Sequence, residues 1–411
     1  MIYNILLLII SLIIYLSFGI IPFLFIISTS IYTFLIAKKI KNNKSLLIIS
    51  IILNLLPLIY FKFFYNYFNL RLIIPLGISY YTLQLLSYLI DIHNNKYKYE
   101  TNIIYFLLYV TYIPHLFIGP ISRYNDIKKE LLKKKRITSN NIYLGLKRIL
   151  WGLIKKLVIA ARLSILINNV VDNELKGIIV LITCLLYSIE IYTDFSGGID
   201  IVLGISQILD IELVENFNSP YQAENMKEFW KYWHISLSTW LKDYIYIPLG
   251  GNKKRKNINT IITFLISGLW HGINYLLWGL INGILVIIGN KYNTKNKTIN
   301  RIINYLIVSL LWIFFIYPNN ITSINRLLSI FTNFNINLSI LGLTISDYLI
   351  LIISITILTI YDINKTKIDK KLNNTSIELK TILICSTIIV ILLFGIYGIG
   401  FKVEDFIYSK F

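Results

Sequence analysis

Long apolar runs separated by short polar loops follow one another along the whole chain. Many of these runs reach about 20 residues, the length that an α-helix needs to cross a ~30 Å hydrocarbon layer. The runs cover approximately residues 1–17, 20–37, 45–62, 72–92, 102–120, 143–161, 176–193, 258–289, 303–318, 341–361 and 380–401. The pattern predicts an all-α polytopic membrane protein with roughly 10–11 transmembrane helices.

The pattern changes between residues 194 and 257, where glycines, carboxylates and aromatics interrupt the apolar runs. Such a mixture is typical of re-entrant or interfacial helices that are buried in protein. The next apolar stretch is too long for one straight span. From Asn257 to His271 a helix would rise about 21 Å, and from His271 to Lys291 about 30 Å. We therefore predict two helices that meet near Gly272 and hold His271 well inside the membrane.

The composition agrees with a membrane protein, since 56% of the residues are apolar and 15% are charged. In a typical soluble domain about a quarter of the residues are charged. The first run, Ile5 to Tyr15, lacks the basic flank and the small-residue cleavage site of a signal peptide, so we expect a retained span. Cys184 and Cys385 both lie in apolar runs, which argues against a disulfide framework.

The net charge of +19 comes largely from short loops between the apolar runs. The strongest basic loops are Lys38–Lys41, Lys128–Arg136 and Asn252–Lys256. Lys and Arg concentrate in cytoplasmic loops of membrane proteins, so we expect these loops in the cytoplasm and in contact with anionic lipid headgroups. The charge is therefore no indication of nucleic-acid binding.

Two of the four histidines lie in surroundings that indicate chemistry. His271 follows Trp270 inside an apolar stretch, and ionisable groups at membrane depth usually carry function. Upstream, residues 227–244 predict an amphipathic helix rich in aromatics. One face of that helix would carry Lys227, Trp230, His234, Ser238 and Leu241. No third ligand stands at a suitable spacing, so the sequence predicts no metal site. An imidazole titrates near neutral pH and can take a proton from an attacking hydroxyl, while a second histidine can orient it or stabilise the developing oxyanion.

Several motifs around the two histidines occur in a recognisable order. They are Glu215-Asn216-Phe217-Asn218-Ser219-Pro220-Tyr221, Glu228-Phe229-Trp230, Trp233-His234-Ile235-Ser236-Leu237-Ser238, Ile245-Tyr246-Ile247-Pro248-Leu249-Gly250-Gly251 and Gly268-Leu269-Trp270-His271-Gly272, with Pro114-His115-Leu116 and Asp194-Phe195-Ser196-Gly197 upstream and Phe406-Ile407-Tyr408 at the end. In this order and spacing the chain resembles the membrane-bound O-acyltransferase family, and within it the bacterial alginate O-acetylase-like branch.

The resemblance implies a single membrane-embedded domain over residues 1–411, with a motif-rich core at about 72–290 and C-terminal helices in 303–411. It implies a funnel across the cytoplasmic membrane, through which an acyl group, acetyl in this branch, passes from a cytoplasmic thioester to an extracytoplasmic glycan hydroxyl. The donor would be acetyl-CoA or an acyl carrier protein, as co-substrate rather than bound cofactor. By family analogy, an extracytoplasmic SGNH-type transferase is a candidate partner.

The same resemblance assigns roles to individual residues. His271 matches the family's catalytic histidine, and His234 matches its second motif histidine. We expect substrate binding by Trp270, Trp233, Asn218, Ser238, Asn282 and Asp194. Many members carry a histidine where this chain has Asn282, which cannot titrate and can only orient or donate and accept hydrogen bonds.

Buried carboxylates are usually paired with a cation, so a structural role in an ion pair also remains open for Asp194. Its partners, and those of Asp200 and Glu190, would come from Arg123, Lys155 and Lys156. For the whole chain, two other functions remain open. One is D-alanyl transfer to teichoic acid from a carrier protein. The other is transport of acyl groups or glycans without catalysis, although the chain shows no internal duplication of the kind that many transporters have.

Overall fold

The computed structural model describes residues 2–64, 73–289, 291–334 and 342–397, and this part of the chain contains helices and no β-strand. The predicted C-terminal motif Phe406-Ile407-Tyr408 lies outside the described residues. The chain divides into two compact units, one drawn from Met1–Thr138 and Ile205–Val214 and the other from Ser139–Gly204 and Glu215–Phe411. The single domain that the sequence predicts stays a prediction.

The first unit is built around a helix that is buried on almost all sides. Its helices are α1 (Ile2–Leu16), α2 (Ile20–Ile40), α3 (Lys44–Ile59, continued by a π-helical turn Tyr60–Phe64), α4 (Ile78–His93), α5 (Ile103–Thr111), α6 (Ile113–Phe117) and α7 (Tyr124–Leu132). In α4, 13 of 16 residues are buried, and α2, α3 and α5 pack against it. Burial around its whole circumference places this helix in the interior of the bundle, together with its polar side chains Thr82, Gln84, Ser87 and Asp91.

The second unit contains the remaining helices. These are α8 (Ser139–Leu153), a π-helical segment (Ile154–Ala160), α9 (Ala161–Asp172), α10 (Ile178–Ile208, whose last four residues belong to the first unit), α11 (Met226–Tyr232), α12 (Ile235–Leu241, followed by a π-helical turn Lys242–Tyr246), α13 (Lys256–His271), α14 (Leu276–Ile288), α15 (Lys297–Leu311), α16 (Ile313–Ile316), α17 (Asn320–Ser329), α18 (Ile345–Asn373) and α19 (Ile377–Phe394), with 3₁₀ turns at Pro220–Gln222 and Ile273–Tyr275.

Among the residues that the structure describes, six helices are long and apolar enough to cross a membrane. They are Ile20–Ile40, Lys44–Phe64, Ile178–Ile208, Lys297–Ile316, Ile345–Asn373 and Ile377–Phe394, and two shorter apolar helices, Ile2–Leu16 and Ile273–Ile288, accompany them. Other predicted spans correspond to shorter pieces. The run 102–120, for example, is divided at Tyr112, because Pro114 fits only the first turn of a new helix.

The apolar stretch 258–289 forms two helices that meet at Gly272, as its length predicts. Gly272 has φ 144°, a value that favours glycine, and it ends α13. The legs are antiparallel and very close. A Cβ at Gly268 would lie 2.4 Å from the carbonyl oxygen of Tyr275, and a Cβ at Gly279 would lie 2.4 Å from that of Phe264. His271 is therefore at the tip of a helical hairpin, and lysines precede one leg and follow the other.

Buried ion pairs connect α10 to the segment between α8 and α9. Lys156 pairs with Asp194, and Lys155 pairs with Asp200. Arg148 on α8 joins the second pair, with one bond to Asp200 at 3.0 Å and two bonds to Glu215 at 2.7 and 2.6 Å. These contacts give Asp194 and Asp200 the lysine partners that the sequence suggested for them, while the suggested pairing of Glu190 stays a prediction. Arg123, the third partner that the sequence suggested, precedes α7 in the first unit.

Candidate active site

The two motif histidines line the same cavity in the second unit. The cavity has a volume of about 650 Å³, within the usual range of small-molecule sites. His271 reaches it from the tip of the hairpin, where it is half-buried. His234 reaches it from the junction of α11 and α12, where its ring is 2% exposed.

The helix that the sequence predicts over 227–244 is interrupted at His234. Helix α11 ends at Tyr232, Trp233 is extended, and His234 has left-handed backbone angles of φ 45° and ψ 55° before α12 begins. The prediction of one continuous helix was therefore wrong. Nevertheless, all five residues predicted to share one face of that helix, Lys227, Trp230, His234, Ser238 and Leu241, line the cavity.

A loop between α10 and α11 holds this interruption by hydrogen bonds. The backbone N–H of Asn218 donates to Tyr232 at 3.0 Å, and the backbone N–H of Ile235 donates to the carbonyl oxygen of Asn216 at 3.0 Å. The side-chain oxygen of Asn216 accepts the backbone N–H of Ser236 at 2.9 Å and lies 3.3 Å from Nδ1 of His234. The loop thus supplies partners to both helix ends and to the imidazole.

Aromatic rings surround both histidines. The Trp270 ring lies 4.8 Å from the His271 ring and 6.1 Å from the His234 ring, measured between centroids. On its other sides, His271 contacts Trp278 at 5.7 Å and Phe315 at 5.3 Å. The immediate surroundings of the two imidazoles are therefore largely aromatic.

The rim of the cavity is basic. Its lining includes four exposed lysines, Lys227, Lys231, Lys242 and Lys256, and within the described residues that line it there is no carboxylate. Like charges gathered around a concave opening raise the local concentration of ligands of opposite charge. The rim is thus suited to an anionic ligand.

The predicted substrate-binding residues have different positions. Trp233 and Ser238 line the cavity. Trp270 contacts both histidine rings, and Asn282 is buried behind the wall, where it accepts the indole N–H of Trp230 at 3.2 Å. Asn218 has an exposed side chain and is absent from the described lining, as is Asp194, which is buried against Lys156.

Four residues that contact His234 or line the cavity had no predicted role in the site. Asn216, two positions before Asn218 in the same motif, makes the contact with His234. Trp278 lies four positions before Asn282 in α14 and therefore on the same helix face, so its position was available as a signal. Trp312 and Phe315 line the cavity from a run that reads only as apolar.

Comparison with known proteins gives this geometry a context. The chain is 36% identical over 257 residues to the probable alginate O-acetylase AlgI of Pseudomonas syringae pv. tomato, which covers 60% of this chain and 49% of that relative. It is 32% identical over 349 residues to the peptidoglycan O-acetyltransferase of Helicobacter pylori, covering 71% and 66%. It is 29% identical over 245 residues to the teichoic acid D-alanyltransferase of Bacillus subtilis, covering 55% and 62%. The chain spans about half the length of the alginate O-acetylase relatives that it matches.

The family match covers most of the chain. Residues 10–327 match the membrane-bound O-acyltransferase family, a range that contains the hairpin, the interrupted helix and both histidines. The six long apolar helices agree with this assignment to a multi-pass membrane protein. This chain belongs to the membrane-bound O-acyltransferase family.

Proposed function

We propose that this protein transfers an acyl group, acetyl in the first instance, from a thioester donor to a hydroxyl of a cell-envelope glycan. The observation that carries the proposal is that His271 and His234 line one cavity with apolar walls and a basic rim. The names of the relatives support acetyl transfer, because alginate and peptidoglycan are both glycans with free hydroxyls. The D-alanyltransferase relative is less similar and supports the alternative acyl group.

In this proposal His271 is the general base. The acceptor hydroxyl gives its proton to the imidazole while its oxygen forms a bond to the thioester carbonyl carbon. The carbon–sulfur bond then breaks, and the leaving thiolate takes the proton back from His271 and departs as a thiol. The aromatic walls keep water from competing for the acyl group. Trp270 positions the imidazole by its contact with both histidines.

Asn282 has an indirect role in this scheme. Its side-chain oxygen accepts the indole N–H of Trp230, and its Nδ2 donates to the carbonyl oxygen of Trp278 at 2.9 Å. Both tryptophans line the cavity. Asn282 therefore fixes part of the wall, as expected for a side chain that cannot titrate.

The donor is proposed to enter at the lysine rim. Coenzyme A and the phosphopantetheine arm of carrier proteins both carry phosphate, which lysine side chains attract. One of the four rim lysines, Lys256, is the last residue of the basic loop Asn252–Lys256, and Lys242 precedes that loop. Since basic loops face the cytoplasm, the rim would open on the cytoplasmic side of the cytoplasmic membrane, and the glycan would approach from the other side.

The test uses purified full-length protein in liposomes, with [acetyl-¹⁴C]CoA on one side and alginate oligosaccharides or peptidoglycan fragments on the other. We expect label on the glycan with wild-type protein and a loss of about 10²-fold or more with His271→Ala, the scale of removing a general base. His93→Ala is the matched control, because His93 lies in the first unit and contacts the carbonyl oxygen of Ile40.

Three results would contradict the proposal or redirect it. Transfer that survives His271→Ala excludes the general-base role. Movement of the acyl group or glycan across the membrane without bond formation favours a transporter. Activity that requires an aminoacyl carrier protein, with none from acetyl-CoA, favours the D-alanyl alternative.

A further inference from the structure

The contact between Asn216 and His234 has a consequence for the protonation of His234. A neutral imidazole carries its proton on one nitrogen only, and a hydrogen-bond partner decides which nitrogen that is. At a buried ring this choice determines whether the other nitrogen can accept or donate a hydrogen bond. Two roles are open to His234. A ring with its proton on Nδ1 can accept a proton at Nε2, whereas a ring with its proton on Nε2 can donate a hydrogen bond from there to an oxyanion.

The orientation of the Asn216 amide is determined by a second hydrogen bond. Its Oδ1 accepts the backbone N–H of Ser236 at 2.9 Å. If the amide were turned around, its NH₂ group would face this N–H, and two donors would oppose each other. The same oxygen is the atom that lies 3.3 Å from Nδ1 of His234. An oxygen in this position favours a proton on Nδ1.

We propose that Asn216 is a positioning residue that holds His234 as the Nδ1–H tautomer, so that Nε2 is the hydrogen-bond acceptor of the ring. As a consequence, His234 accepts a proton or a hydrogen bond through Nε2 and does not stabilise an oxyanion. This role in catalysis rests on the proposed function, in which His234 and His271 together transfer protons.

The surroundings of His234 favour the neutral ring that this tautomer requires. His234 lies outside the six candidate membrane-spanning helices, and burial lowers its pKa to about 3. The described residues that line the cavity beside it include four lysines and no carboxylate, so the described lining holds no anion to favour an imidazolium. On α10, Phe195 packs on the ring at 4.9 Å, and the neighbouring carboxylate of Asp194 is already held by Lys156.

The direct test is solid-state NMR of the full-length protein in liposomes with ¹⁵N-labelled histidine at pH 7. Comparison with His234→Gln assigns the signals of His234. We expect a protonated Nδ1 and an unprotonated Nε2 in the wild type, and a mixture of tautomers in Asn216→Ala. Asn216→Asp keeps an oxygen at both contacts, so we expect it to retain the protonated Nδ1.

An activity test with [acetyl-¹⁴C]CoA and alginate oligosaccharides follows the same variants. We expect Asn216→Ala to lower kcat by about 10- to 100-fold, the scale for removing a group that orients a histidine. Asn216→Asp should recover much of this loss and move the acidic limb of the pH profile upward by about one unit or more, because a carboxylate stabilises the imidazolium. Asn173→Ala and Asn173→Asp, at an exposed asparagine, are the matched controls.

The two readouts separate failure of the tautomer from failure of the proposed function. A wild-type His234 with its proton on Nε2, or an unchanged tautomer in Asn216→Ala, overturns the inference whatever the activity. A pH profile that is the same in Asn216→Asp and wild type also overturns it, since a merely structural asparagine would leave the profile in place. The expected tautomer in a protein that transfers no acetyl group supports the inference and contradicts the proposed function.

Discussion

Replacing Lys156 by methionine should destabilise the protein strongly, because the carboxylate of Asp194 would remain buried without its cation. The two side chains are 9% and 8% exposed, and Lys156 also donates to the backbone oxygen of Asp194 at 3.3 Å. Removal of one partner from a buried ion pair costs about 3–5 kcal/mol, whereas replacement of both by apolar residues is often nearly neutral. We therefore expect Lys156→Met to lose about this much and Lys156→Met/Asp194→Leu to recover most of it.

Thermal unfolding in detergent, followed by tryptophan fluorescence, measures this difference. One kcal/mol corresponds to about 2–4 °C for chains of 150–250 residues, so the single variant should unfold roughly 6–20 °C lower, nearer the smaller value for this longer chain. Lys147→Met is the control. Lys147 pairs with Asp369 at 3.1 Å, but these side chains are 25% and 30% exposed, and such pairs contribute about 1 kcal/mol or less.

The same variants decide between two roles for Asp194. A double variant that is stable and active assigns the carboxylate to the ion pair, while one that is stable and inactive supports the predicted contact with substrate. Our reasoning is wrong if Lys156→Met unfolds within the range of Lys147→Met, or if the double variant is no more stable than the single one.

Two further predictions concern the hairpin and the effect of acid. Gly279→Val should lower stability by about 1–3 kcal/mol or more, because a Cβ would lie 2.4 Å from the carbonyl oxygen of Phe264. Thermal unfolding measures this, and equal losses in the control Leu280→Val, at the exposed next position, would contradict it. Burial lowers the pKa of His234 to about 3 from 6.5. Stability from this neutral ring is therefore present above pH 6.5 and falls as the pH drops towards 3, by on the order of 5 kcal/mol in total. Unfolding measured against pH should be less acid-sensitive in His234→Gln, and equal acid sensitivity would refute the assignment.

The hairpin was predictable because the apolar stretch is too long for a single straight span. A continuous helix over 258–289 exceeds the thickness of a bilayer, and Gly272 is the residue at which the chain can turn. The sequence did not indicate that the legs pack so closely. That packing depends on Gly268 and Gly279, whose missing side chains lie opposite backbone carbonyls, and glycine in an apolar run does not by itself reveal which surface it faces.

The roles of Asn216 and Asn218 could not be separated from the sequence. Both belong to the same short motif, and they lie in a loop, where no helical or strand period fixes the direction of a side chain. The structure turns Asn216 towards His234 and leaves the side chain of Asn218 exposed. The number of spans could not be derived from the sequence for a related reason. An apolar residue has the same hydropathy whether it faces lipid or, as in α4, the interior of a bundle.

The interruption at His234 explains how an incorrect prediction of one continuous helix still identified residues that line the cavity. A non-glycine residue in the left-handed region costs about 1–2 kcal/mol, so the surrounding contacts must hold it there. The backbone bonds to Asn216 and Asn218, and the backbone N–H of Ser236 that donates to Oδ1 of Asn216, do this from both sides of the break. Residues before and after the break keep their places along the cavity, while His234 alone is turned so that Nδ1 meets Asn216. Under the proposed function, the strained residue is also the one whose proton placement matters, and backbone strain tends to cluster at such sites.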